Sequence, residues 1–209
     1  MYIFTRSVRL GNGHMRDSLA WALEITEKVN QISETPFSLW MPLFSPNAMR
    51  LTWGTLVEEL EELEAVDAKL VADDTYVGLV DKGATFASGD AVDDTLVSYV
   101  HGDFAKSADV QCVSVVEAAI NPGHFGKGIE VGIEIAQAAE RIGGAPTAFG
   151  ILSTGRYGTV QWMTGFASVA DMQRSEEAVN SDPSFLELLD KKAADLYVPG
   201  EQRLARKLA

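Results

Sequence analysis

The 209-residue chain has little with which to build several common kinds of site. It has one cysteine, Cys112, so no internal disulfide forms and no thiolate cluster is available to a metal. Cys112 lies in the apolar run 110–116 and reads as a small buried hydrophobe. Of the three histidines, His14, His101 and His124, no two form a His-x-x-x-His pair, and the glutamates are not interleaved with them at ligand spacing. No metal site and no cofactor are therefore expected. Basic residues are few, 17 Lys and Arg against 30 Asp and Glu, and the net charge of −13 excludes a phosphate-contacting nucleic-acid surface. The acidity itself reads as solubility. No stretch approaches the roughly 18 consecutive apolar residues of a membrane span. Residues 1–6 lack a charged leader and a small-residue cleavage site, so a reducing cytoplasm is the expected compartment. Gly11-Asn12-Gly13 lacks the third glycine of a dinucleotide fingerprint. Ser88-Gly89 and Ser153-Thr154-Gly155 read as turns, because no Gly-x-Ser-x-Gly elbow exists.

What the chain does have is a pattern that occurs twice. Gly11-Asn12-Gly13-His14 returns as Asn121-Pro122-Gly123-His124, 110 positions on. At that spacing Leu19 meets Ile129, Glu24 meets Glu134, Ile32 meets Ile142 and Pro36 meets Pro146. The spacing then slips to 109, where Trp53 meets Trp162, Asp73 meets Asp182, Tyr76 meets Phe185 and Asp81-Lys82 meets Asp190-Lys191. A fixed period is the mark of a repeat architecture. The repeats are expected over 1–105 and 106–209, with a polar linker across 103–109. The composition, 46% apolar and 22% charged, is ordinary globular material.

Residues 2–10, rich in β-branched and aromatic side chains, read as a strand. From Met15 the apolar residues fall at helical spacing (Leu19, Ala22, Ile25, Val29, Ile32) up to the stop near Pro36. Strands are expected at 37–44 and 49–55, joined by a turn at Pro46-Asn47. A helix follows at 57–72, and a second is expected from Asp73 or Asp74 as its cap. Glu58, Glu59, Glu61, Glu62 and Glu64 crowd the first of these, which is either a cation or docking site or a solvated face favoured by the helix dipole. Residues 88–94 read as a loop and 95–102 as a strand. The second half repeats the order: strand 110–119, helix 125–142 stopped by Gly143-Gly144, strands 146–153 and 159–166, helices 169–179 and 183–197, and an edge strand over 202–208. A βαββαβ unit is the split-βαβ, ferredoxin-like arrangement. The strands carry apolar residues on both sides (Ile3, Phe4 and Val8; Leu39, Trp40, Met41 and Leu43). Both sheet faces therefore need cover, and one body with a joint core is expected.

The doubled pattern resembles the dimeric α/β-barrel superfamily in tandem form. Within it the second half looks most like a NIPSNAP-type domain. The residues that carry the likeness are Asn121-Pro122-Gly123, Gln161-Trp162, the helix start at 168–174, and Ser181-Asp182-Pro183-Ser184-Phe185. The family more often has tryptophan at the last position. The first half shares the frame through Gly13, Trp53 and Asp73. The resemblance implies an α+β fold, two fused ferredoxin-like repeats whose antiparallel sheets form a pseudo-dimeric α/β barrel. Members include cofactor-free monooxygenases, lactone isomerases, haem enzymes and proteins with no known reaction, so the fold does not select a function.

Two classes of function follow. The first is a metal-free small-molecule enzyme, monooxygenase- or isomerase-like, acting on an apolar or aromatic ligand between sheet and helices. His14 or His124, each at a helix N-terminus where a neutral imidazole is favoured, would be its acid or base. Trp40, Trp53, Phe149, Tyr157 and Trp162 would wall the pocket, with Trp21 and Met163 in the same aromatic and sulfur set. The bland alternative is that the histidines are turn residues and the aromatics fill two ordinary cores. Arg50, Arg156 and Tyr157 either gate the pocket or sit in solvent. The slight lean is to the second half, through Lys127 and Tyr157. The other class is a non-catalytic NIPSNAP-like binding or assembly protein, with homo-oligomerisation left open. A cavity reached by a histidine favours the first class, and closed cores in both halves favour the other.

Overall fold

The stretches with the clearest helical spacing, from Met15 and from Phe125, become the two long helices. The computed structural model describes residues 1–46, 49–102 and 109–209. The expected turn at Asn47 and the linker over 103–108 lie outside the described residues. The first half contains β1 (Tyr2–Leu10), α1 (Met15–Ile32), β2 (Ser38–Pro42), β3 (Arg50–Val57), α2 (Leu60–Val71), α3 (Asp74–Ala84) and β4 (Ala87–His101). The second contains β5 (Cys112–Ile120), α4 (Phe125–Gly143), β6 (Thr147–Leu152), β7 (Thr159–Phe166), α5 (Val169–Ser181), α6 (Pro183–Leu188) and β8 (Tyr197–Lys207). Helix α1 follows Gly13 and helix α4 follows Gly123, and both glycines take positive φ, +106° and +86°, where a side chain is strained.

The strands are antiparallel. β1 runs along β3 from Tyr2 opposite Val57 to Arg9 opposite Arg50, and β5 runs along β7 from Cys112 opposite Phe166 to Ala119 opposite Thr159. The hydrogen-bonded order is β1-β3-β2-β8-β5-β7-β6-β4, closed into a barrel. By compactness the chain falls into two units, Met1–Leu96 with Lys207–Ala209, and Val97–Arg206. The expected boundary between 105 and 106 is not among the described residues.

Four local expectations change. Residues 88–94 are strand, not loop, because β4 runs unbroken from Ala87. Its turn-like Asp93 and Asp94 are matched in ion pairs by Arg50 and Arg6, so tertiary pairing overrides propensity. Val57 ends β3, and α2 begins only at Leu60, behind a capping box in which Glu59 and Glu62 satisfy each other's backbone N–H groups. Part of the acidic cluster is thereby a helix cap. Residues 202–208 are no edge: β8 begins at Tyr197, pairs along β5, and Leu208 donates its N–H to the Leu39 carbonyl. The helix expected over 183–197 stops at Leu188 and widens into a π-helical turn at Leu189–Ala193. Such a turn holds one extra residue, and the 110-residue spacing returns after it. Gly11 N–H reaches the Phe86 carbonyl and Asn121 N–H the Leu196 carbonyl. Lys82 pairs with Glu24, and it is Lys192, not Lys191, that pairs with Glu134.

One bond recurs in each half and ties sheet to helix. Trp53 on β3 donates its indole N–H to the Thr26 hydroxyl at 2.7 Å, and that hydroxyl donates to the Ala22 carbonyl at 2.6 Å. Trp162 on β7 donates straight to the Gly132 carbonyl at 2.8 Å, and Gly132 stands 110 positions after Ala22. Replacing Thr26 with valine strands a buried donor and is expected to cost about 1–3 kcal/mol. Thr26→Ser should cost clearly less. Urea midpoints read both, and a Thr26→Val midpoint equal to wild type would refute the role given to this bond.

The caps repeat as well. Asp73 accepts the Tyr76 N–H and the Lys28 ammonium, and Asp182 accepts from Ser184 and the Phe185 N–H. Lys28 chiefly, and for Asp182 the Ser184 hydroxyl, hold each carboxyl below its ordinary value of 3.8. A depressed carboxyl stabilises the fold above its unfolded value and loses that contribution as pH falls through the folded one. The stability gap between wild type and Asp73→Ala should therefore be full at neutral pH and shrink as pH drops below 3.8. A gap that stays constant down to pH 2 would contradict this.

Candidate functional site

The site begins with the apolar stripe of α2. Leu63, Val66 and Leu70 lie at i, i+3 and i+7, and Val66 and Leu70 are buried. With Trp21, Ile25 and Val29 of α1 and Tyr76, Val80 and Gly83 of α3, they face Phe4 and Val8 of β1, Trp53 of β3, and Ala87 and Val92 of β4. The two layers do not close on each other. They leave a cavity of about 820 Å³.

Its inner wall is aromatic. Trp21 and Trp53 meet edge to face, centroids 5.7 Å apart at 74°, and are 4% and 8% exposed. Trp21 donates its indole N–H to the Leu79 carbonyl at 2.7 Å. It lies flat against Gly83, where a Cβ would sit 2.1 Å from the ring. Both tryptophans thus have polar ends satisfied and apolar faces free to line space. The outer end is polar. Arg6 donates two parallel bonds to Asp94, at 2.8 and 2.7 Å, and its guanidinium lies 5.8 Å from the Phe4 ring centroid. Asp94 above all holds Arg6 charged beyond the ordinary arginine range, and Tyr76 and Asp67 add to that field. Glu64 and Asp67 of α2 line the cavity and are exposed.

The second half fills the corresponding volume differently. Tyr197 opens β8 where Ala87 opens β4. Its ring stands edge-on to Trp162 at 5.2 Å, and its hydroxyl donates to the Gly128 carbonyl. Among the described residues no group of three or more His, Cys, Asp and Glu is placed to hold a metal. Haem iron takes an axial imidazole, thiolate, thioether or phenolate. The described lining offers one phenol, Tyr76, beside three carboxylates that repel haem propionates, and this set does not fit a haem.

No family model matches the chain, and no curated protein does. Solved structures do. A candidate monooxygenase from Fusobacterium nucleatum subsp. nucleatum aligns over 100% of this chain and 92% of its own, with a TM-score of 0.71 at 6% identity. A second, from Lactobacillus acidophilus, aligns over 99% and 93%, with a TM-score of 0.65 at 7% identity. The chain has the dimeric α/β-barrel fold. At such identities the likeness speaks for the fold alone. A NIPSNAP-like domain protein from Burkholderia xenovorans aligns over 46% of this chain and 84% of its own, at 14% identity and a TM-score of 0.41, too loosely to bear on function.

Within this α/β barrel the residues picked out from sequence scatter. Trp53 lines the cavity. Trp40 is half-buried on β2, opposite Thr52. Phe149, with no exposed surface, packs on Trp162 at 5.1 Å in the second-half core. Tyr157 is 91% exposed and stacks on Phe125 at 6.0 Å. His14 and His124 stand at the N-termini of α1 and α4, both exposed, and neither side chain caps its helix. His14 Nδ1 lies 3.9 Å from Asp17, and neither imidazole lines the cavity. Arg50 is taken by Asp93 and Lys127 by Glu130. Arg6, Asp67, Tyr76 and Asp94 were not singled out. Asp67 had a readable signal: it sits at i+4 from Leu63, a charge on an apolar stripe.

His14→Ala and His124→Ala are each expected to change unfolding free energy by less than about 0.5 kcal/mol, as exposed side chains do. Gly83→Ala, which drives a methyl into Trp21, is expected to cost about 1–3 kcal/mol. Equal effects in a denaturation series would contradict the packing described.

Proposed function

We propose that the first half binds a small, largely apolar molecule in the cavity between its sheet and helices α1–α3, as a metal-free enzyme of the monooxygenase or isomerase kind. The cavity itself carries the reading. About 820 Å³ lies within the usual range for small-molecule sites, about 300–1,000 Å³, and an aromatic wall with a few polar groups at one end is the usual lining. The two candidate monooxygenases of the same fold support it by analogy only. Acid or base work at this cavity would fall to Asp67 or Tyr76, which line it, and not to the exposed histidines.

That same placement of the histidines favours a second reading, binding without turnover, in a NIPSNAP-like binding or assembly protein. The pocket is tested by titrating 1-naphthalenemethanol against tryptophan fluorescence. Ala87→Tyr copies the second half's residue into the cavity. It should weaken binding at least tenfold, which is about 1.4 kcal/mol, with an unchanged circular dichroism spectrum. Binding that survives Ala87→Tyr unaltered would remove the site from this cavity. Oxygen uptake with 1,4-dihydroxynaphthalene, measured above its uncatalysed rate and without added metal, separates the readings. Uptake abolished by Ala87→Tyr supports the monooxygenase, and no uptake favours binding alone over oxygen chemistry.

A further inference from the structure

The geometry points to a ligand that carries a cationic head, a protonated amine on an aromatic or apolar body, held at the mouth of the first-half cavity by Asp67 and Glu64. This deepens the small-molecule reading and rests on it. The body of the ligand is set by the tryptophan wall, and the head by the two carboxylates that make no ion-pair contact.

Of the described residues lining the cavity, four are charged: Arg6, Glu64, Asp67 and Asp94. Arg6 and Asp94 use each other. The bidentate fork is closed, so the one cation is already matched. Glu64 and Asp67 are left, one helical turn apart on the same face of α2. Among the described residues neither side chain makes a hydrogen bond or an ion-pair contact. The described lining carries three carboxylates against one arginine, so an anionic head would meet net negative charge. A cationic head is drawn by that charge, less the repulsion of Arg6 within reach of Asp67, and the aromatic faces of the wall add cation–π attraction.

The second half shows the same position satisfied from within its own unit. Glu176 stands 109 positions after Asp67, and Gln202 donates its amide N–H to it at 3.3 Å. The residue 110 positions before Gln202 is Val92, which lines the cavity and has no donor to give. A carboxylate satisfied inside one half is therefore left to an external partner in the other. Its place on the stripe of Leu63, Val66 and Leu70 aims it at the cavity.

The test uses three probes with one body, 1-naphthylmethylamine, 1-naphthalenemethanol and 1-naphthylacetate, titrated against the intrinsic fluorescence of the full chain. The amine should bind about three- to tenfold tighter than the alcohol, and the acid more weakly than either, as a pair of exposed carboxylates implies. Glu64→Gln with Asp67→Asn should bring the amine down to the alcohol while leaving the alcohol's affinity unchanged. Glu58→Gln, just before α2, with Glu61→Gln in its first turn removes the same charge away from the cavity, and should keep the amine's advantage. If the alcohol binds and the amine is no tighter, the cationic head is overturned and the pocket stands. The same holds if the advantage survives the first double variant or is lost equally in the second. If no naphthalene probe binds, both the pocket and the head fall.

Discussion

A buried indole N–H has to find an acceptor, and the placing of the first helix in each half depends on that need. Trp53 and Trp162 occupy the third strand of their units, and each sends its N–H across to the helix that opens the unit. In the second half the acceptor is a carbonyl of α4 itself. In the first the Thr26 hydroxyl is inserted between indole and carbonyl. The relay ties α1 to β3 beside the space that Trp21, Ile25 and Val29 line.

Whether that space is filled is decided by small differences on a shared frame. Ala87 stands where the second half has Tyr197, and Gly83 where it has Ala193. Gly83 lets the Trp21 indole lie flat against α3, with its N–H spent on Leu79. Tyr197, in contrast, reaches into its own unit and closes on Trp162 and Gly128. The polar groups follow the same division. Arg6 and Asp94 close on one another at the open end, and 110 positions on the chain has Val116 and Leu204. An apolar wall with charge gathered at one end is thus a property of the first half, although the lean drawn from Lys127 and Tyr157 was to the second.

The frame was legible because it rests on local rules. Helical spacing from Met15 to Ile32, β-branched and aromatic content over Tyr2–Leu10, and capping aspartates at 73 and 182 each leave a direct mark in sequence. The length of β4 was not legible. Its Asp93 and Asp94 are turn residues by propensity, and only their long-range partners Arg50 and Arg6 make them strand residues. The π-helical turn was hidden for a similar reason: Asp190-Lys191 matches Asp81-Lys82 by letter, while the ion pair to Glu134 is made one residue later. The cavity depends on a balance of volumes between elements far apart in the chain, which no single stretch records. The histidines attracted notice by recurring, but recurrence marked the turn they belong to. Trp53 was found because a tryptophan that repeats on a strand leaves a mark that chemistry at an exposed turn does not.

The central claim is that the first half holds open an apolar space bounded by Trp21, Trp53 and Ile25. Xenon enters such spaces without needing any particular ligand chemistry. A crystal structure solved under xenon pressure tests the claim most directly. The account expects bound xenon in van der Waals contact with Trp53 and Ile25, with Trp21 still bonded to the Leu79 carbonyl. Side chains of Phe4 or Leu63 turned into the space, with no xenon between β3 and α1, would contradict it.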